Sequence, residues 1–135
     1  MEKSRLVQAF LIISGIIATG IGGALLIAPV AFEASAGIDL GENINLLSEV
    51  RAPGGTLSVA GILITTGAFI SGITHFSILL SCLFYLSYGL SRVLGMMIDG
   101  IPNESLVMAT VAEILIGLLS LLLVFRIRRK QYPTS

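Results

Sequence analysis

Long apolar stretches occupy most of this chain and leave little of it suited to a water-exposed surface. Four of them approach the roughly 20 apolar residues that an α-helix needs to cross a bilayer. They run from about Leu6 to Val30, Ala52 to Thr74, Phe76 to Ile98 and Ser105 to Phe125. Only 12% of the 135 residues are charged, whereas about a quarter of the residues of a soluble domain are charged. The sequence therefore predicts an integral membrane protein.

The connections between the later stretches are short. "SGITH" separates the second from the third, and "DGIPNES" separates the third from the fourth. Gly, Pro, Asn and Ser in such segments indicate turns, and helices joined by so few residues pack antiparallel. We expect an all-α fold, in which residues 1–135 form one domain, a bundle of four antiparallel transmembrane helices. Four crossings would place both termini on the same side.

Basic residues cluster at the two ends of the chain. Lys3 and Arg5 precede the first apolar stretch, and the basic run "RIRRK" follows the last one. Because cytoplasmic segments are enriched in Lys and Arg, both termini are predicted to be cytoplasmic. A cleaved signal peptide is the alternative, since "EASAG" offers small residues, but the first apolar stretch far exceeds the roughly 7 to 15 residues of a signal core.

Polar and small residues recur at helical spacing along each stretch. One seam of the third stretch and one face of the fourth carry most of their polarity, at Ser81, Tyr85, Tyr88, Arg92, Gly95 and Asp99 and at Thr110, Glu113, Gly117 and Ser120. The first two stretches instead contain glycines at helical intervals. Small residues at such intervals allow helix backbones to approach closely in lipid, so these faces are expected to pack inward.

The charged residues Arg92 and Glu113 cost free energy when they lie inside a membrane. Arg92 lies about 10 Å below the end of the third helix at Asp99, and Glu113 lies about 13 Å below the start of the fourth at Glu104, taking 1.5 Å per residue. The two therefore sit at nearly the same depth on adjacent antiparallel helices. Either charge alone costs at least about 2.5 kcal/mol, a penalty that pairing reduces. We expect them to form an ion pair.

Polar side chains near the depth of Arg92 and Glu113 predict a polar pocket that opens toward the outer side of the membrane. Its expected ligand-binding residues are Glu49, Arg51, Tyr85, Tyr88, Arg92 and Glu113. Glu113 is the best candidate for a catalytic proton donor or acceptor, because it is desolvated and beside a cation. Purely structural explanations stand beside this one: the ion pair as a device that fixes helix register, the tyrosines as packing residues, and Glu49 and Arg51 as solvated loop charges.

The sequence lacks the residues that several kinds of functional site require. The single cysteine, Cys82, cannot form an intramolecular disulfide, and a single histidine excludes bis-histidine haem ligation within one chain. A metal site built from Glu49, Asp99 and Glu113 would be opposed by the neighbouring arginines, so no metal is predicted. No basic patch with exposed aromatic residues supports nucleic-acid binding. The cofactor, if there is one, is not identified by any motif.

Three segments carry a resemblance to known proteins. "SEVRAPGGTLSVAGILITTGAF", "GLSRVLGMMIDGIP" and a last helix with a central glutamate resemble a domain-of-unknown-function family of small bacterial four-helix inner-membrane proteins. The chain also looks like the wider DoxX-like superfamily. The shared features are Glu49-x-Arg51 with Gly54-Gly55, Arg92, Asp99-Gly100 and Glu113. The resemblance implies a multi-pass protein of the bacterial inner membrane and says little about function.

Two classes of function remain open at this stage. In the first, the chain binds an amphipathic molecule such as a quinone, isoprenoid or lipid, with or without catalysis. In the second, it is a non-catalytic scaffold or accessory subunit whose charges only fix helix packing. The lipid bilayer is its expected surrounding, and the sequence leaves a homo-oligomer or a membrane-protein partner open. A cavity at the level of Arg92 and Glu113 would favour the first class.

Overall fold

The computed structural model describes residues 4–131, which are helical with short connections. Five α-helices follow one another: α1 Arg5–Ile27, α2 Pro29–Ser35, α3 Ile44–Thr66, α4 Thr74–Asp99 and α5 Glu104–Gln131. A single 3-10 turn, Ser71–Ile73, precedes α4. Lys3, one of the basic residues behind the predicted orientation, lies outside the described residues.

The prediction of a bundle of four transmembrane helices is wrong. Within residues 4–131, three helical segments are long and apolar enough to cross a membrane, namely Arg5–Ile27, Ser71–Asp99 and Glu104–Arg129. These three segments indicate a multi-pass membrane protein. Helix α3 is not among them, and three crossings would place the termini on opposite sides, which removes the argument from four crossings that both termini share one side.

Helix α3 is less apolar than the predicted second span because it begins and ends earlier in the chain than expected. It begins at Ile44 rather than at about Ala52, since the Asn43 side chain accepts hydrogen bonds from two backbone N–H groups of its first turn, at 3.0 and 3.3 Å. The helix consequently includes Glu49 and Arg51, and it ends at Thr66. Adding polar residues at one end and losing apolar ones at the other lowers its mean hydropathy.

A proline divides the first predicted helix. The apolar stretch was expected to continue to Val30, but α1 ends at Ile27 and Pro29 begins the separate helix α2. Proline lacks a backbone N–H and is well suited to the first turn of a helix, so a new helix starts where the old one cannot continue. Helix α2 leaves the α1 axis and becomes part of the site described below.

Glycines bring α1 and α3 into backbone contact. A Cβ atom at Gly61 would lie 2.7 Å from the carbonyl oxygen of Gly15, and one at Gly22 would lie 2.7 Å from the carbonyl oxygen of Gly54. Real Cβ atoms essentially never approach other heavy atoms within 3.0 Å. The expectation that the glycine faces pack inward is confirmed at these four positions, and the order of the contacts makes the two helices antiparallel.

Helices α4 and α5 form the second closely packed pair. A Cβ atom at Gly117 of α5 would lie 2.9 Å from the backbone nitrogen of Leu86 on α4. The buried hydroxyl groups of Ser81 and Ser120 are 3.0 Å apart and hydrogen-bond across the same interface. Small residues thus decide this packing too, and α4 joins the two pairs through its contacts with α3 and α1.

Candidate functional site

A cavity of about 380 Å³ lies between α1 and α5. Because α1 packs chiefly on α3 and α5 packs chiefly on α4, the space between α1 and α5 is not closed by a helix–helix contact. The volume falls in the range of about 300 to 1,000 Å³ that is usual for small-molecule sites. Most of its wall is apolar, contributed by Ile17, Ala18, Ile21, Leu25, Ile38, Leu57, Leu106, Ala109, Ala112 and Ile116.

Helix α1 contributes exposed side chains to the cavity wall. Ile17 and Ile21 line the cavity and are each 38% exposed. Helix α1 is one of the helices apolar enough to lie in a membrane. An exposed part of the cavity wall therefore lies on a helix that is apolar enough to contact acyl chains.

Arg92 of α4 and Glu113 of α5 form an ion pair in the cavity wall. The Arg92 Nε atom is 3.1 Å from the Glu113 Oε2 atom, as expected from their similar depth on antiparallel helices. The contact is not aligned as a hydrogen bond, and both atoms are buried without any other hydrogen-bond partner among the described residues. Buried polar groups are normally satisfied, so this pair retains hydrogen-bonding capacity beside the cavity.

The two predicted tyrosines have different surroundings. The Tyr85 hydroxyl donates a hydrogen bond to the carbonyl oxygen of Ser14 at 2.5 Å, which ties α4 to α1. The Tyr88 side chain also lines the cavity, and its hydroxyl makes no hydrogen bond with any residue in 4–131. Tyr85 therefore already has a structural partner, whereas Tyr88 is free to donate to a bound molecule.

Glu49 and Arg51 lie outside the cavity lining. Both side chains are exposed near the start of α3, and Arg51 donates a hydrogen bond to the carbonyl oxygen of Leu26. That carbonyl belongs to the last turn of α1, where a basic side chain commonly satisfies a free acceptor. The structure thus brings together four of the six predicted site residues, namely Tyr85, Tyr88, Arg92 and Glu113.

Helix α2 adds lining residues from beyond the predicted end of the first transmembrane helix. Phe32 and Glu33 of α2 and Ala36 just after it face the cavity. The Glu33 side chain is half-buried and forms no ion pair or hydrogen bond with any residue in the described range. A signal for this helix was present, since Pro29 followed by four helix-compatible residues marks a helix start.

Asn103 connects α2 to the start of α5. Its side-chain Nδ2 donates a hydrogen bond to the carbonyl oxygen of Ala36, and its Oδ1 accepts one from the backbone N–H of Leu106 at 3.2 Å. The second bond caps the N-terminus of α5. One side chain therefore starts the helix that carries Glu113 and holds the segment that carries Glu33 over the cavity.

Metal-binding groups are not assembled here. Among residues 4–131 no three side chains of His, Cys, Asp or Glu are arranged to hold a metal ion. Cys82 is a free thiol, half-buried on α4, and is not part of the cavity lining.

Comparison with known proteins finds one family. The sequence model of a domain of unknown function, DUF4345, matches residues 6–124. No curated protein and no solved structure matches the chain. These comparisons bring no support for a relation to the DoxX-like superfamily or for a bacterial origin.

Proposed function

The chain belongs to the DUF4345 family, and from the geometry of its cavity we propose that it is a membrane protein that binds an amphipathic small molecule between α1 and α5. The observation that supports the proposal is a cavity of about 380 Å³ whose wall is mostly apolar but carries the Arg92–Glu113 pair. Small-molecule sites combine these two properties, with apolar walls for affinity and a few polar groups for orientation.

The contribution of Ile17 and Ile21, on an apolar helix long enough to cross a membrane, favours a ligand that arrives from the membrane. Quinones, isoprenoids and lipids belong to this class. The apolar part of such a molecule would lie against α1 and α5, and its polar end would lie in the part of the cavity that carries Glu33, Tyr88 and the Arg92–Glu113 pair. Glu113 is the residue that we expect to exchange a proton with it, because its carboxyl group is partly desolvated and lies beside the Arg92 guanidinium.

Native mass spectrometry of protein purified in mild detergent tests this proposal. We expect a bound molecule on the wild-type protein and its loss from Ala109→Phe, which places a ring in the cavity. Val111→Phe is the matched control, since Val111 lies on the same helix, is 49% exposed and does not line the cavity.

A scaffold would give a different result. Its charged pair would only fix helix packing, so no molecule would copurify with the wild-type protein or with either phenylalanine variant. Equal occupancy in Ala109→Phe and Val111→Phe would also overturn the proposal, because the bound molecule would then lie outside the cavity.

A further inference from the structure

We infer that the polar end of the bound molecule is an ammonium cation carried on a single apolar chain. The inference rests on the proposed function and names the chemical class of its ligand. Three features of the cavity carry it, namely the balance of charges, the aromatic side chains and the size.

The charges that line the cavity do not cancel. They consist of one guanidinium, on Arg92, and two carboxylates, on Glu33 and Glu113. Arg92 and Glu113 neutralise each other at 3.1 Å, which leaves the carboxylate of Glu33 without a cation among residues 4–131. A carboxylate or phosphate entering the cavity would meet an arginine whose charge Glu113 already compensates and would be repelled by Glu33, whereas a cation would compensate the remaining charge.

Aromatic side chains are concentrated around the same space. The chain has six phenylalanines and three tyrosines, and Phe32, Phe84, Tyr85 and Tyr88 all line this cavity. Aromatic rings attract cations through their quadrupole, by about 0.5 to 2 kcal/mol each, and such rings are the usual receptors for quaternary ammonium groups. Phe32 and Glu33 are consecutive on α2, so an aromatic ring and the uncompensated carboxylate approach the cavity from the same element.

The size limits the apolar part of the ligand. A volume of about 380 Å³ lies near the lower end of the range for small-molecule sites, which suits one alkyl chain better than two acyl chains on glycerol. Ile17 and Ile21, on the apolar helix α1, give that chain an apolar surface to lie against.

Tyrosine fluorescence offers a direct assay, because the protein has no tryptophan and only three tyrosines. In a Tyr132→Phe background the signal comes from Tyr85 and Tyr88 alone. Three probes share a 12-carbon chain with bromine atoms on the fourth and fifth carbons from the head group, which quench tyrosine on contact, and differ in the head group: trimethylammonium, hydroxyl or carboxylate. Titration of detergent-solubilised protein gives an apparent Kd for each probe.

We expect the trimethylammonium probe to bind about tenfold more tightly than the other two. In Glu33→Gln that preference should disappear while the affinity for the hydroxyl probe stays unchanged. Glu42→Gln is the matched control, since Glu42 is exposed, lies in the same part of the chain and does not line the cavity. It should keep the wild-type preference.

Different titration results would contradict the ammonium assignment and the amphiphile site. Equal or tighter binding of the hydroxyl or carboxylate probe would overturn the ammonium assignment and leave the amphiphile site standing. A preference unchanged in Glu33→Gln would overturn it as well. Absence of saturable quenching by all three probes would overturn both proposals.

A fourth probe separates free amines from lipid head groups. Lysophosphatidylcholine with the same brominated chain presents the ammonium together with a phosphate. We expect it to bind more weakly than the trimethylammonium probe, because its phosphate would approach Glu33. Binding as tight as that of the trimethylammonium probe would identify a lipid head group as the source of the cation.

Discussion

The Nε atom of Arg92 lies 3.1 Å from the Oε2 atom of Glu113, across the interface of α4 and α5. The side chains are 36% and 17% exposed, so the pair is neither fully buried nor at the surface. Removing one partner leaves the other partly desolvated and without compensation, a situation that is more costly than removing both.

A double-mutant cycle measures the strength of this pair. We expect Arg92→Met and Glu113→Gln each to lower thermal stability in detergent, and the double variant to lose less than the sum of the two. The partial exposure of Arg92 places the coupling energy at about 1 kcal/mol, between the values for surface and buried pairs. Additive losses would mean that the contact contributes nothing to stability.

The close contact between glycines of α1 and α3 predicts that alanine lowers stability at a contacting glycine but not at a glycine outside the contact. Gly61→Ala should destabilise the protein by about 1 to 3 kcal/mol, because the new methyl group would overlap the backbone of α1. Gly20→Ala is the control, since a Cβ atom there has no neighbour within 4 Å, and alanine favours a helix by up to about 1 kcal/mol over glycine. Thermal unfolding in detergent compares the two. Equal melting temperatures would show that the helices are not in backbone contact.

The two roles of Asn103 can be separated. Asn103→Asp keeps an oxygen that caps α5 but loses the Nδ2 donor to Ala36, whereas Asn103→Ala loses both. We expect faster hydrogen exchange in residues 29–38 in both variants, and faster exchange in the first turn of α5 only in Asn103→Ala. Unchanged exchange of residues 29–38 in Asn103→Asp would contradict the connection.

Tyr85 and Tyr88 differ in what their hydroxyl groups contact. Tyr85→Phe should lower stability by about 1 kcal/mol, because the carbonyl of Ser14 loses its side-chain donor. Tyr88→Phe should leave stability unchanged, since that hydroxyl has no partner in residues 4–131. Melting temperatures measured side by side test this difference. A greater loss in Tyr88→Phe would mean that the hydroxyl of Tyr88 has a partner in the purified protein.

Periodicity in the sequence predicted the faces of individual helices well. The seam of α4 that carries Tyr85, Tyr88 and Arg92 does line the cavity, and Glu113 on α5 meets Arg92. The reason is local: residues three or four apart share a face of a helix whatever lies opposite, and two charges at one depth in an apolar chain have few partners.

The long apolar stretches of the sequence by themselves predicted a helical membrane protein. The sequence also carries a local signal for the start of α3, the cap residue Asn43, but the prediction missed it. It placed Glu49 and Arg51 in the pocket, but Arg51 bonds to the end of α1, 25 residues earlier in the chain. Only the tertiary structure decides which side chains of different elements meet across the space between α1 and α5. For that reason Glu33, on a seven-residue helix held over the cavity by Asn103, became visible as a site residue only in three dimensions.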